Sequence, residues 1–142
     1  MKKFEILEHK ADLKIRVFGK TKEKLFLNAL LAMTSALRAK IKNQKFLPVR
    51  QAGKIKKIKI KSSNIETLLV DFLSEVLYLV QVNKEIYNNV KFKKFSDTEL
   101  EAELIGDKVE RFGEDIKAVT YHNLDVHQGL KGIWQAIILF DI

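Results

Sequence analysis

The stretch Ser63-Asn64-Ile65-Glu66-Thr67-Leu68-Leu69-Val70-Asp71-Phe72-Leu73-Ser74-Glu75-Val76-Leu77-Tyr78-Leu79-Val80 is the most secure element of the sequence. Leu68, Leu69, Phe72, Leu73, Val76, Leu77 and Val80 recur at three- and four-residue spacing, which places them on one face of a helix. Ser63-Asn64-Ile65-Glu66 has the Ser-x-x-Glu form of a capping box, whose side chains satisfy the orphan amides of a first turn. A face this wide must be covered by the rest of the chain, so the helix is expected to be central.

Working outward, a second helical pattern runs from residue 21 to about residue 40, with Leu25, Ala29, Leu30, Ala32, Met33, Ala36 and Leu37 on one face and Thr21 as N-cap. Ahead of it, residues 4–7 read as a short strand. Leu13, Ile15 and Val17 alternate with Lys14, Arg16 and Phe18 in a second, closed by Gly19-Lys20. Residues 41–54 hold the single proline, Pro48, and Gly53, and read as a connection. Over residues 54–61, Ile55, Ile58 and Ile60 fall among lysines, the pattern of an outer strand whose charge discourages edge pairing. Further strands are expected near 90–95, 99–105, 118–121, 124–127 and 133–140. Strands arriving in consecutive runs, not alternating with helices, predict an α+β fold: a mainly antiparallel β-sheet packed with two principal helices, residues 1–142 forming one domain.

The absence of cysteine excludes disulfides and every thiolate-based site. No signal-peptide pattern opens the sequence and no apolar run approaches the roughly 18 residues of a bilayer span, so a soluble, cytoplasmic protein is expected. The formal charge of +8, from 26 Lys+Arg against 18 Asp+Glu, favours acidic or phosphate-rich partners. Lysine dominates it, with arginine only at Arg16, Arg38, Arg50 and Arg111, so a solvated face competes with nucleic-acid binding as its meaning. With 6 glycines and no Gly-x-x-x-x-Gly-Lys-Ser/Thr element, a nucleotide-binding P-loop is excluded. Thr34 and Ser35 lack a nucleophile elbow or spaced acid and histidine partners, so hydrolase chemistry has no support.

Three polar patches remain: His9-Lys10-Ala11-Asp12, Lys117-Ala118-Val119-Thr120-Tyr121-His122, and Asp141 beside Ile142. Asp12 could serve only a turn, bonding nearby amides. If the last strand instead lies beside the first, Asp12, Asp141 and the Ile142 carboxylate converge, and three repelling oxyanions call for a cation or a lysine between them. Hard oxygen ligands select calcium, magnesium or manganese over zinc. His9, His122 and His127 form no His-x-x-x-His pair, and packing or turn roles compete with chemistry for each. Lys117 draws its interest from the proximity to the acids that such a convergence would bring, and it could simply face solvent.

Taken in order, His9-Lys10-Ala11-Asp12-Leu13-Lys14-Ile15, the capped helix of residues 65–80, Lys117-Ala118-Val119-Thr120-Tyr121-His122 followed by Leu124 and Val126, and Trp134-Gln135-Ala136 ending in Asp141 resemble the archease family over nearly the whole chain. The resemblance implies a non-catalytic accessory protein that activates an RtcB-type RNA ligase in tRNA splicing and RNA repair. In that family the activator promotes GTP-dependent guanylylation of a ligase histidine, allows multiple turnover and broadens nucleotide use. By position, Asp12, Asp141 and the Ile142 carboxylate match the divalent-metal site, calcium being the first choice of ion with magnesium or manganese next. Lys117 matches the functional lysine, and His9 could orient Asp12. The implied partners are the ligase and, through it, RNA; no membrane is involved. Lys10 stands where the family often has a small polar residue, and residues 45–54 fit no family pattern. The alternatives are a basic RNA-binding or chaperone-like module using the lysine-rich strand, and a metal-dependent hydrolase, which lacks an evident nucleophile or general base.

Overall fold

The computed structural model describes residues 2–9, 11–38, 55–109, 112, 113, 115–121 and 124–142. The expected connection over residues 41–54, the 45–54 segment within it, Lys10 and His122 lie outside the described residues. The elements are β1 (Phe4–His9), β2 (Asp12–Gly19), α1 (Lys22–Arg38), β3 (Ile55–Lys61), α2 (Ile65–Asn83), β4 (Glu85–Phe95), β5 (Glu99–Lys108), β6 (Ala118–Thr120), β7 (His127–Gln128) and β8 (Trp134–Asp141). The fold is α+β, and every strand pair is antiparallel. The strands divide between two sheets: β1-β2-β8-β6, with β7 also pairing β8, and β3-β5-β4.

Both helices bury the faces read from their periodicity. In α1, Thr21 Oγ1 accepts the amide of Lys24 at 3.0 Å, and Leu25, Leu30 and Met33 are fully buried. The cap of α2 differs from expectation: Asn64, not Ser63, is the N-cap. Asn64 is extended (φ −157°, ψ 175°) and its Oδ1 accepts the amide of Thr67 at 2.8 Å, so the helix starts at Ile65 and Glu66 is left for another partner. At its far end α2 runs past Val80 to Asn83 and stops where Lys84 turns left-handed (φ 52°, ψ 52°). Phe26 of α1, Phe72 of α2 and Phe92 and Phe95 of β4 lock the helices to the second sheet. Their ring centroids lie 5.6 Å apart for Phe26–Phe72 and 4.9 Å for the edge-on Phe26–Phe95 pair, a favoured aromatic geometry.

β4 begins earlier than its sequence pattern suggests because Glu85, Ile86 and Tyr87 are all buried, and a register shift between Tyr87 and Asn89 breaks the period of two. The strand expected over 124–127 shrinks to β7. The amide of Leu124 donates to Tyr121 O and that of Val126 to Glu66 Oε2, so a turn and a helix side chain take the donors a ladder would use. β3 is an outer strand as expected, and its lysines face acids: Lys57, Lys59 and Lys61 stand opposite Glu103, Glu101 and Glu99 of β5. The β2–α1 junction needs Gly19, where a Cβ would collide with the backbone of Lys24 and Leu25. Lys22, in the first turn of α1, bridges the two sheets: its Nζ lies 2.6 Å from Asp97 of the β4–β5 turn and 4.9 Å from the ring centroid of Trp134 on β8.

Candidate functional site

β2 and β8 pair along their whole length, from Gly19 opposite Trp134 to Asp12 opposite Asp141. Leu13, Ile15 and Val17 on one strand and Ala136, Ile138 and Phe140 on the other are buried. The residues between them therefore point away from the core, and Asp12 and Asp141 emerge together on that outer face, both exposed. Directly opposed side chains of this kind have Cβ atoms about 4.5–5.5 Å apart. Asp12 belongs to the ladder itself, where it is the first residue of β2, and is not a turn residue ahead of it.

The middle patch reaches the same corner from the other side of β8. Ala118 stands opposite Asp141, and the Lys117 amide donates to Asp141 O at 2.7 Å. Polar side chains of α2 hold this segment in place. Gln81 Nε2 donates to Ile116 O at 3.1 Å, and the Tyr121 hydroxyl donates to Asp71, which also accepts from Ser62 Oγ at 2.6 Å. The hydrogen bond to the Asp71 carboxylate raises the Tyr121 phenol above its ordinary range. Glu66, expected to close a capping box, instead fixes the Val126 amide at 3.0 Å.

The outer face beside the acids is of mixed charge, since Glu8 and Glu5 of β1 stand opposite Lys14 and Arg16 of β2. Lys14 and Arg16 follow Asp12 at alternate positions of β2, and Arg16 Nη1 lies 2.7 Å from Glu5 Oε1 on β1. Its guanidinium, then Lys2, holds the Glu5 carboxyl below the usual carboxylate range.

Among the described residues no three His, Cys, Asp or Glu side chains cluster closely enough to hold a metal ion. The oxygen donors that the described side chains offer at this corner are the two aspartates and Thr120, with Ile142 next along the chain. By the strand alternation Thr120 shares the face of Ala118 and Asp141, and its Oγ1 is buried without a hydrogen-bond partner among the described residues. An orphaned buried hydroxyl is rare and costly, and a donor set made wholly of oxygen fits a hard divalent cation in kind. Thr120 belongs to the patch Lys117-Ala118-Val119-Thr120-Tyr121-His122, and nothing in the sequence says that its hydroxyl goes unpartnered.

The remaining candidates separate. His9 is exposed on β1 opposite Leu13, one residue out of step with Asp12. His127 sits at the far end of the sheet, opposite Gln135, with its Nδ1 3.0 Å from Asp125.

The sequence pattern defining the Archease protein family (MTH1598/TM1083) matches residues 4–142. The chain is 34% identical over 149 residues to the protein archease of Methanosarcina barkeri, covering 99% of this chain and 97% of the relative. It is 29% identical over 149 residues to that of Pyrococcus furiosus, covering all of both. Among solved structures it resembles Methanobacterium thermoautotrophicum protein 1598, with a TM-score of 0.74, 25% identity and full coverage of both chains. It also resembles an archease described as a possible chaperone, from Thermotoga maritima. That match has a TM-score of 0.64 and 17% identity over 97% of this chain and 96% of the other, a likeness of fold.

Proposed function

Because the chain belongs to the archease protein family, we propose that it is a non-catalytic activator of an RtcB-type RNA ligase in tRNA splicing and RNA repair. In this reading it promotes GTP-dependent guanylylation of the ligase histidine and multiple turnover, in the cytoplasm. The observation that carries the reading is the register that sets Asp12 directly against Asp141. Like charges opposed across a strand pair oppose pairing, and the Ile142 carboxylate adds a third negative group beside them. The ladder keeps the two aspartates together despite this repulsion, the arrangement expected where a cation is used.

Asp12, Asp141 and the Ile142 carboxylate would hold that cation, calcium in the first instance or magnesium or manganese, with Thr120 Oγ1 farther along the same face of β6. A divalent ion bound there supplies positive charge that can neutralise triphosphate oxygens. The chain's own contribution is position. β2 and β8 fix the carboxylates at an exposed corner where a partner can approach them, and the backbone bond from Lys117 to Asp141 keeps that lysine at hand for a phosphate or a ligase carboxylate. His9 stands on the neighbouring strand opposite Leu13, one residue out of step with Asp12. The description of the Thermotoga maritima relative as a possible chaperone is compatible with action upon a protein client. Among the described residues no helix is long and apolar enough to cross a membrane.

The test combines the purified protein, its ligase, GTP and manganese, and follows label transfer to the ligase. The unaltered protein is expected to accelerate guanylylation, while Asp12→Ala and Asp141→Ala, still folded by circular dichroism, lose that effect. Full stimulation by both variants overturns the reading.

A further inference from the structure

The second sheet carries an ordered charge pattern that the acidic corner does not use. On its outward face the middle strand, β5, presents Glu99, Glu101 and Glu103. β3 on one side presents Lys57, Lys59 and Lys61, and β4 on the other presents Lys91, Lys93 and Lys94, where a register shift between Phe92 and Lys94 crowds an additional lysine onto the edge. Six lysines thus enclose three glutamates.

The two signs are not equally accessible. Side-chain exposure is 66% for Lys59 against 39% for Glu101, 51% for Lys93 against 22% for Glu103, and 55% for Lys94 against 22% for Glu99. The lysines overhang the glutamates, and two of the ion pairs between them are long, at 3.6 Å for Lys59–Glu101 and 3.7 Å for Lys93–Glu103, while Lys94–Glu99 is closer at 3.3 Å. Exposed pairs of this kind contribute only about 0–1 kcal/mol each, so an incoming anion can take a lysine from its glutamate at little cost. Between the rows, Lys57, Lys59, Lys93, Glu101 and Glu103 line an open hollow of about 390 Å³.

We propose that this face binds the phosphate backbone of single-stranded RNA. Alternate residues of a strand lie about 6.7 Å apart, a spacing comparable with that of successive phosphates on an extended polynucleotide. The two lysine rows, separated by one intervening strand, stand about 9.5 Å apart, room for one strand and not for a duplex. The aromatic residues of this part of β4, Phe92 and Phe95, pack instead with Phe26 of α1, so they offer bases no stacking platform on the lysine face. Lysine gives point charge without the bidentate fork of arginine. Binding is therefore insensitive to sequence, and three phosphates neutralised give a slope of log affinity against log salt of about −2. The inference does not depend on the ligase reading, and the two are measured apart.

The test is fluorescence anisotropy of a labelled single-stranded oligoribonucleotide at low salt, without ligase, using the full chain. The triple variant K57Q/K59Q/K93Q is expected to lose at least tenfold in affinity and to flatten the salt slope. The double variant E101Q/E103Q, which removes the competing carboxylates at nearly constant volume, is expected to bind severalfold more tightly. Thermal unfolding of both checks that the sheet survives. Because the second variant predicts a gain, loss of fold cannot imitate it. The inference is overturned by three results: no saturable binding, binding that neither variant changes, or variants that spare RNA affinity while weakening capture of the ligase, which would make this face a protein surface. RNA-free guanylylation of the ligase is expected to proceed equally with all three proteins, so failure here and failure of the activator reading are distinguishable.

Discussion

Removing one of two like charges that face each other across a strand pair has an effect whose sign depends on what lies between them. In chelator, Asp12→Asn relieves repulsion with Asp141 and is expected to raise stability by about 0.2–1 kcal/mol. With calcium added, the unaltered protein is expected to gain thermal stability through mass action, and Asp12→Asn to gain much less. Thermal unfolding of both proteins with and without calcium checks this; a calcium response that Asp12→Asn leaves intact counts against the site. Tyr121 gives a second residue-scale outcome. Its phenol is raised by the Asp71 carboxylate, so the stability from this bond is fully present below the ordinary value of about 10 and is lost as pH rises through the folded value. Asp71→Asn is expected to bring the Tyr121 ring-carbon resonance to titrate at lower pH. That Asp12 and Asp141 meet was legible only on the condition that the last strand lies beside the first, a condition the β2–β8 register fulfils. Thr120 was not legible, since its significance rests on a missing partner, which only coordinates reveal.

At the scale of elements, the turn before α2 distinguishes two adjacent residues that the sequence pattern confuses. Asn64 provides the capping oxygen, so Asn64→Ala is expected to cost about 1 kcal/mol. Ser63→Ala, the cap implied by the Ser-x-x-Glu pattern, should cost only a few tenths by the scale of ordinary surface changes. Urea unfolding of both variants decides between them. At the other end, Lys84 holds a left-handed conformation that costs an L-residue about 1–2 kcal/mol relative to a right-handed one. Lys84→Gly is expected to stabilise by up to about 1 kcal/mol in the same experiment. Without a glycine there, the end of the helix could not be read in advance. The centre of each element was legible because burial imposes its period; the ends were not, because caps, the shift between Tyr87 and Asn89, and Glu66 reaching for Val126 are decided by residues distant in sequence.

The molecule as a whole unfolds as one unit if its core is shared, and the aromatic cluster indicates that it is. Phe26 touches Phe72 on α2 and Phe92 and Phe95 on β4, while the core runs on without a break to the strands of the first sheet. Phe26→Ala is expected to cost about 3–5 kcal/mol. The loss should appear equally in the fluorescence of Trp134, the only tryptophan and a residue of the first sheet, and in backbone circular dichroism. Two separated transitions would mean that the sheets are independent. The α+β class and both helices were legible from periodicity, and so was the outer position of β3. The division into two sheets was not, because it depends on which strand chooses which partner, a question of register between segments far apart in the chain.

β8 carries a further consequence through its place among β2, β6 and β7, all of which bond to it. The ribosome makes each of those strands before it makes β8. Until residues 134–141 have left the exit tunnel, the nascent polypeptide holds β2 and β6 with open edges and with no carboxylate opposite Asp12. At translation speeds of about 5–20 residues per second that exposure is brief, and β8 on emerging both joins these strands and completes the acid pair.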